Sequence, residues 1–197
     1  MTDPADLAAL VASRICHDLI SPIGAIGNGV ELLTLGGSEG EELALLSDSA
    51  AHANARIRFF RIAFGAAGPS QRIGRAEVAS TLTDLSQGGR IAHDWTSAPD
   101  LPRREVRLAF LLLLCLETAL IQGGRIAVME TGGGWHLQAE GPRLRLDPDL
   151  WSPLQGGAAP AETSAAQVQF ALVPPALAAL SRQLSVAADG ASIRLTF

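Results

Sequence analysis

The first part of the chain repeats apolar residues with the period of an α-helix. When residues 4–35 are placed on an ideal helix, they form one narrow apolar stripe, comprising Val11, Ile15, Leu19, Pro22, Ile26 and Leu33. Thr2 or Asp3 can cap the start of this helix, and Gly36-Gly37 ends it. The pattern therefore predicts one long amphipathic helix at the N-terminal end of the chain.

A second helix follows after this short connection. It begins at Ser38, where Ser38-x-x-Glu41 has the form of a capping box. Its apolar stripe comprises Leu43, Leu46, Ala50, Ala53, Ile57, Phe60 and Phe64, and residues 65–69 end it. Because the connection is short, we predict an antiparallel helical hairpin over residues 1–68.

From residue 69 onward, short strand-like segments alternate with helical ones. The predicted strands are 72–73, 90–95, 124–130, 135–139, 185–188 and 192–197, and the predicted helices are 76–85, 105–121 and 174–184. Pro174 and Pro175 are expected to fix the start of the last helix, and residues 152–166 are expected to form a mobile loop. Residues 69–197 thus predict a mixed sheet with helices on one face, an α/β sandwich, and the chain as a whole falls in the α+β class.

The hairpin has more apolar surface than it can bury by itself. Two copies from two chains would form a four-helix bundle in which both stripes are covered. We therefore expect a homodimer.

Composition narrows the classes of partner and the compartment. The net charge is −5, and all 15 basic residues are arginine, which argues against nucleic acid as a partner and excludes lysine-based catalysis. Cys16 and Cys115 are isolated and fit a reducing compartment. No signal peptide is visible, and the most apolar run, residues 108–121, is too short to span a membrane. We expect a cytoplasmic protein with no membrane partner.

His17 is the candidate reactive residue of the hairpin. On an ideal helix it lies about 200° around the axis from Ile15, on the face opposite the apolar stripe. Arg14, Ser21, Gly24 and Asn28 share this polar face. An exposed imidazole at this place offers a neutral nitrogen as a nucleophile near pH 7.

The residues around His17 carry a resemblance to known proteins. The stretch His17-Asp18-Leu19-x-Ser21-Pro22 resembles the H-box of bacterial sensor histidine kinases. The wider pattern from Ser13 to Leu33 is closer still to the alphaproteobacterial histidine phosphotransferases. This resemblance implies a dimeric hairpin followed by a degenerate histidine-kinase-type sandwich. It also implies that His17 takes phosphate from a receiver-domain aspartate of a hybrid histidine kinase and passes it to response-regulator receivers.

Further roles follow for the neighbours of His17. In the family pattern, the acidic residue at Asp18 accepts a hydrogen bond or a proton from an imidazole, although contact with its own His17 is not guaranteed on a helix. The candidate receiver-binding residues are Arg14, Ser21, Pro22, Gly24 and Asn28. Arg14 is either a ligand for phosphate or carboxylate oxygens or a solvated surface residue. Pro22 is expected to bend the helix. Gly24 either allows a receiver helix to approach closely or packs inside the dimeric four-helix bundle.

The nucleotide-binding parts of a kinase are not recognisable in the second domain. Cys115 stands where the kinase N-box has an asparagine, and a thiol is a poor Mg²⁺ ligand. Glu140-Gly141-Pro142 is the nearest remnant of the DxGxG loop, and residues 168–172 contain no glycine-rich lid. We therefore expect no ATP binding and no cofactor of its own, with Mg²⁺ supplied by the partner receiver. A divergent histidine kinase and a non-catalytic receiver-binding module remain the alternatives.

Overall fold

A computed structural model describes residues 3–34, 39–157 and 162–197. Helix α1 spans Pro4–Thr34 and helix α2 spans Glu39–Ala63, close to the predicted bounds. The predicted capping box at Ser38 lies outside the described residues. Gly29 of α1 packs on Leu46 of α2, and a Cβ at Gly29 would lie only 2.9 Å from that leucine side chain. This close contact fixes the antiparallel register of the hairpin.

The remainder of the chain forms a mixed sheet with helices packed on it. The elements are β1 Arg72–Gly74, α3 Arg75–Ser86, β2 Ile91–Thr96, β3 Asp100–Pro102, α4 Arg103–Ala119, β4 Gly124–Glu130, β5 Trp135–Glu140, α5 Pro148–Trp151, α6 Val168–Leu180, β6 Ser185–Ala188 and β7 Ser192–Thr196. The main sheet has the order β2-β4-β5-β7-β6, with β2 and β4 parallel and the other pairs antiparallel. Strands β1 and β3 form a separate antiparallel pair.

The C-terminal helix begins earlier than predicted. Because α6 starts at Val168, Pro174 and Pro175 lie inside the helix rather than at its start. Each proline removes a backbone N–H donor to the carbonyl four residues earlier, which costs helix stability. Burial of Val168, Phe170 and Val173 outweighs this cost, because these side chains join the core in helical register. Tertiary packing thus overrides the local signal of the prolines.

The predicted mobile loop over residues 152–166 is in part a packed segment. Residues Ser152–Gln155 and Ala165–Gln167 form two 3-10 turns. Leu154 is buried, and Trp151 just before it packs edge-on against Phe170 of α6 at 5.6 Å between ring centroids. These two apolar side chains hold the first end of the segment onto the core, and residues 158–161 lie outside the described ranges.

The hairpin and the sandwich share one hydrophobic core. Helix α4 is buried almost all round, and its Phe110 lies 4.7 Å from the Phe59 ring of α2, centroid to centroid. Three arginines of α4 also donate to backbone carbonyls at and beyond the C-terminal end of α2: Arg103 to Arg61 and Ala66, Arg104 to Ala67, and Arg107 to Ala63. Cations at this end of a helix satisfy its free carbonyls and complement its dipole. The end of α2 is therefore fixed to the sandwich.

Helix α1 is exposed along most of its length. Among the helices in the described ranges, it is the one long and apolar enough to cross a membrane by length and composition. Its middle nevertheless contains an ion pair between Arg14 and Asp18. A charged side chain at the centre of a bilayer costs about 2.5–3.5 kcal/mol on insertion scales. The ion pair therefore favours a helix that packs against other protein helices over one that crosses a membrane.

Candidate functional site

His17 projects from the middle of α1 into solvent. Its side chain is 84% exposed, whereas that of the adjacent Asp18 is only 12% exposed. Nδ1 of the imidazole lies 3.1 Å from Oδ1 of Asp18. Asp18 therefore contacts its own His17, which the geometry of a helix alone does not guarantee. When Nδ1 carries the proton and donates it to this carboxylate, the lone pair resides on Nε2. The pair thus presents a nucleophilic nitrogen to solvent.

The second oxygen of Asp18 faces two guanidinium groups. Nε of Arg14 donates to Oδ2 over 3.0 Å, and Nε of Arg56 lies 3.9 Å from the same oxygen. Arg14 also donates from Nη1 to the carbonyl oxygen of Ala166, over 2.6 Å. These contacts fix the carboxylate on the side away from the imidazole. Arg14 is turned toward the protein, and its side chain is only 13% exposed.

The other predicted docking residues surround His17 on the outer face of α1. Ser21, Gly24 and Asn28 are exposed, and Pro22 is half-buried. A Cβ at Gly24 would meet nothing within 4 Å among the described residues of this chain. Both interpretations of Gly24, contact with a receiver helix and packing inside the dimeric bundle, stay predictions. The surface below His17 is open.

A cavity of about 370 Å³ lies beside this site, between the hairpin and the sandwich. Its lining combines hairpin residues with polar residues of the sandwich: Asp18, Ser21, Pro22, His52, Arg56, Leu85, Gly89, Arg90, Ile91, His93, Glu117, Leu120 and Gly123. The cavity extends from the part of α1 around Asp18 to helix α4 and strand β2. The two regions are thus in polar contact as well as apolar contact.

Three of these polar residues, Arg56, His93 and Glu117, are not among the site residues predicted from the sequence. Arg56 Nη1 lies 3.5 Å from Glu117 Oε2, and His93 Nε2 lies 3.8 Å from Glu117 Oε1. Desolvation by burial lowers the pKa of His93, and the nearby Glu117 partly opposes this shift. One signal could have found Arg56: it is nearly as far after the Gly36-Gly37 turn as Asp18 is before it. The positions of Glu117 and His93 depend on tertiary packing and have no such signal.

The positions that bind nucleotide in kinases serve packing in this chain. Cys115 is completely buried in the core, and burial raises the pKa of its thiol well above the ordinary value. Gly141 packs against the backbone of Gly123, whose carbonyl oxygen would lie 2.6 Å from an added Cβ. Residues 168–172 form the first turns of α6. Among the described residues, no group of three or more His, Cys, Asp or Glu side chains could hold a metal ion.

An exposed histidine on a helical hairpin, with a carboxylate on one ring nitrogen and an α/β sandwich packed behind it, is the arrangement that the sequence predicts for a histidine phosphotransfer protein. Residues 75–192 match the family model of the histidine phosphotransferase C-terminal domain. The protein phosphotransferase ChpT of Brucella abortus (strain 2308) is 40% identical over 163 residues, which cover 80% of this chain and 78% of that protein. A solved structure of a bacterial phosphotransferase is 34% identical and aligns with a TM-score of 0.86, over 100% of this chain and 97% of that one.

The chain belongs to the histidine phosphotransferase family. The resemblance found in residues 13–33 is confirmed, as are the α+β class and phosphotransfer as the type of activity. The homodimer, the individual site residues and the cofactor expectation stay predictions.

Proposed function

We propose that His17 is the phosphate acceptor of a phosphorelay. It takes phosphate from a receiver-domain aspartate of a hybrid histidine kinase and passes it to the aspartate of a response-regulator receiver. The observation that carries this proposal is the geometry of the His17–Asp18 pair, in which Nδ1 contacts a carboxylate and Nε2 is open to solvent. Family membership supports the type of reaction.

The proposed chemistry is an in-line displacement at phosphorus. The Nε2 lone pair forms the new N–P bond while the bond between phosphorus and the aspartyl oxygen breaks, and the receiver carboxylate leaves with that electron pair. The imidazole becomes a phosphorylated cation, which the Asp18 carboxylate stabilises through the Nδ1 proton. Transfer to the second receiver reverses these steps. The partner receiver supplies the Mg²⁺, so the chain contributes a positioned nucleophile.

The proposed docking surface is the outer face of α1 around His17. Ser21, Gly24 and Asn28 are open to a partner, and Pro22 borders the cavity beside them. Arg14 contributes differently from the role predicted for it, because both of its hydrogen bonds are made within the chain. It supports docking indirectly, by holding Asp18 and the turn before α6. The hairpin of residues 1–68 thus carries the chemistry, and residues 69–197 support it.

We also infer that the chain does not take phosphate from ATP. A buried neutral thiol at Cys115 offers no oxygen to Mg²⁺, and Gly141 is held by packing rather than left free in a phosphate loop. These two features argue against the divergent-kinase alternative. The exposed His17–Asp18 pair argues against a module that only binds receivers.

A second copy of the chain is proposed to cover the apolar flank of α1. Ile20, Ile23 and Val30 are 69%, 56% and 50% exposed and lie on one side of the helix. Leu43 and Ile57 of α2 are exposed as well. Contiguous apolar surface of this kind marks an interaction site, and two hairpins together form a four-helix bundle. Because this flank lies beside the His17 face, the dimer leaves His17 accessible.

The experiment is a transfer assay with two phosphate sources. The chain is mixed with a receiver domain carrying labelled aspartyl phosphate and, separately, with labelled ATP and Mg²⁺. We expect label from the receiver only. His17→Gln abolishes it, and Asp18→Asn slows uptake by about 100-fold or more, as expected for loss of acid–base assistance.

The matched control is His136→Gln, which changes an exposed histidine on β5, away from α1, and is expected to behave as the unchanged chain. Labelling by ATP alone would establish the kinase alternative. Binding of the receiver without label on the chain would establish the binding module.

A further inference from the structure

A row of four side chains, in which a guanidinium lies between two carboxylates and a buried imidazole follows, leads from the acceptor site into the sandwich. Asp18 Oδ2 is followed by Arg56 at 3.9 Å, and Arg56 by Glu117 at 3.5 Å. Glu117 is followed by His93 at 3.8 Å. The side chains of Asp18, Arg56, Glu117 and His93 are 12%, 26%, 14% and 2% exposed, so the row is largely shielded from water and the charges of the first three act strongly on one another.

Arg56 is shared between two carboxylates. Its Nε is 3.9 Å from Asp18, beyond hydrogen-bond distance, whereas Arg14 donates to the same oxygen over 3.0 Å. Its buried Nη1 makes no hydrogen bond with the residues that the structure describes, and it lies 3.5 Å from Oε2 of Glu117. The guanidinium therefore stands between Asp18 and Glu117 without being bound closely to either. If the Glu117 charge is removed, the cation is attracted only toward Asp18.

From this geometry we propose that Glu117 is a positioning residue for phosphotransfer, acting on the His17–Asp18 pair through Arg56. Glu117 draws Arg56 away from Asp18, so that the carboxylate keeps Oδ1 directed at Nδ1 of His17. Nδ1 then holds the ring proton, and Nε2 holds the lone pair that attacks phosphorus. This inference rests on the proposed role of His17. It also gives the sandwich a function in the chemistry.

Helix α4 and strand β2 fix the position of Glu117. His93 packs beside its carboxylate, and the Nδ1 of His93 lies 3.0 Å from the hydroxyl of Ser86 in α3. The groups that face His93 are Glu117, Arg56 and Asp94. Because His93 is buried and its position is fixed by Ser86, it limits movement of Glu117 away from Arg56. The carboxylate is thereby kept on the Arg56 side of the cavity.

The test compares two glutamates that each pair with an arginine of α2. Glu117→Gln removes the charge that acts on Arg56, and the control Glu77→Gln removes the charge paired with Arg61 at 2.9 Å. Two quantities are measured in the full chain: single-turnover phosphate uptake from a phosphorylated receiver, and the ¹⁵N spectrum of the His17 ring, which reports its tautomer. We expect Glu117→Gln to slow uptake about tenfold and to lower the population with a proton on Nδ1. Glu77→Gln should change neither quantity.

A double-mutant cycle tests whether Glu117 acts through Arg56. In an Arg56→Gln background, Glu117→Gln should have no further effect on uptake or on the ¹⁵N spectrum. Wild-type uptake and an unchanged tautomer in Glu117→Gln would overturn the proposal, as would equal effects of Glu117→Gln in the presence and absence of Arg56. If Glu117→Gln does not fold, Glu117→Met is used, which removes the charge and keeps a side chain of similar length. An unchanged tautomer in that variant would also overturn the proposal.

These results can be separated from failure of the proposed function. If His17 is not the acceptor, the unchanged chain gives no label that depends on His17, whatever the state of Glu117. The ¹⁵N spectrum is recorded without any receiver and tests the coupling by itself.

Discussion

Helices α1 and α4 are both rich in apolar residues, but their surroundings are opposite. Helix α4 is enclosed by the sheet, α2 and α6, and residues Leu108–Leu116 are all completely buried. Helix α1 packs on α2 and, near Arg14, on the turn before α6, and its Ile20, Ile23 and Val30 face solvent. The apolar residues of α4 are therefore buried within one chain, whereas several of those on α1 are exposed in the single chain, and we propose that another molecule covers them.

This difference indicates that the two helices have different roles: α4 stabilises the fold, and α1 carries the proposed site. The interior helix provides the stable body of the protein and fixes the end of α2 through its arginines. The exposed helix presents His17 and the surface on which we propose that receivers and a second copy dock. In this account, substitutions in α4 change stability, whereas substitutions in α1 change association and phosphotransfer.

The largest expected effect is on stability, from Phe110→Ala in α4. The ring is completely buried and packs on Phe59 and Trp95, so its removal should lower the free energy of unfolding by about 3–5 kcal/mol. Ile23→Ala in α1, measured at a concentration where the chain is monomeric, should stay within about 0.5 kcal/mol. Denaturant unfolding checks both values. Similar losses for the two variants would show that α1 is part of the core of the isolated chain.

The next effect is on dimerisation. Replacing both Ile20 and Ile23 by Asp introduces charges into the proposed interface of each copy. Because a buried aliphatic side chain contributes about 1.5–3 kcal/mol, the dimer dissociation constant should rise at least about 100-fold. Analytical ultracentrifugation measures the constant, and circular dichroism should show unchanged helix content. A monomeric unchanged chain at micromolar concentration would contradict the dimer.

A smaller effect on the free energy of unfolding is expected when the same substitution is made at the two cysteines, one on each helix. Cys115→Asn restores the residue of a kinase N-box but places an amide in the apolar core, at an expected cost of about 1–3 kcal/mol in the free energy of unfolding. Cys16→Asn on exposed α1 should remain within about 0.5 kcal/mol. Calorimetry should detect no ATP binding in either variant. Binding of ATP by Cys115→Asn would show that the rest of the nucleotide site is intact.

The smallest effect is a pH dependence of stability that originates at His93. Burial lowers the pKa of this histidine in the folded protein, so below about pH 6.5 the unfolded chain binds more protons than the folded one. Stability should therefore decrease as the pH falls below that value and show no His93 contribution above it. Denaturant unfolding between pH 7.5 and 5.5 should show a weaker dependence in His93→Gln than in the unchanged chain. His136→Gln, at an exposed histidine, should leave the dependence unchanged, and an equal dependence in His93→Gln would contradict this origin.

Residues in regular patterns could be predicted from the sequence, and residues brought together by packing could not. The helical period places His17 on the outer face of α1, and the H-box pattern indicates its chemistry. The predicted start of α6 is wrong, because burial of Phe170 and its neighbours outweighs the local effect of two prolines. The row from Asp18 to His93 joins four elements that are distant in the chain, so no local pattern contains it. The helical period correctly places Arg14 close to His17 on α1. The carbonyl of Ala166, which orients Arg14 inward, lies far away in the chain and could not be predicted in the same way.

The proposal that His17 accepts phosphate is tested most directly by locating the phosphate on the chain. The chain is phosphorylated by a phosphorylated receiver domain, and the product is examined by ³¹P and ¹⁵N NMR together with peptide mass spectrometry. We expect one phosphate, bonded to Nε2 of His17, with the Nδ1 proton directed at Asp18. Phosphate on Nδ1 of His17, on another residue, or on no residue of the chain would contradict it.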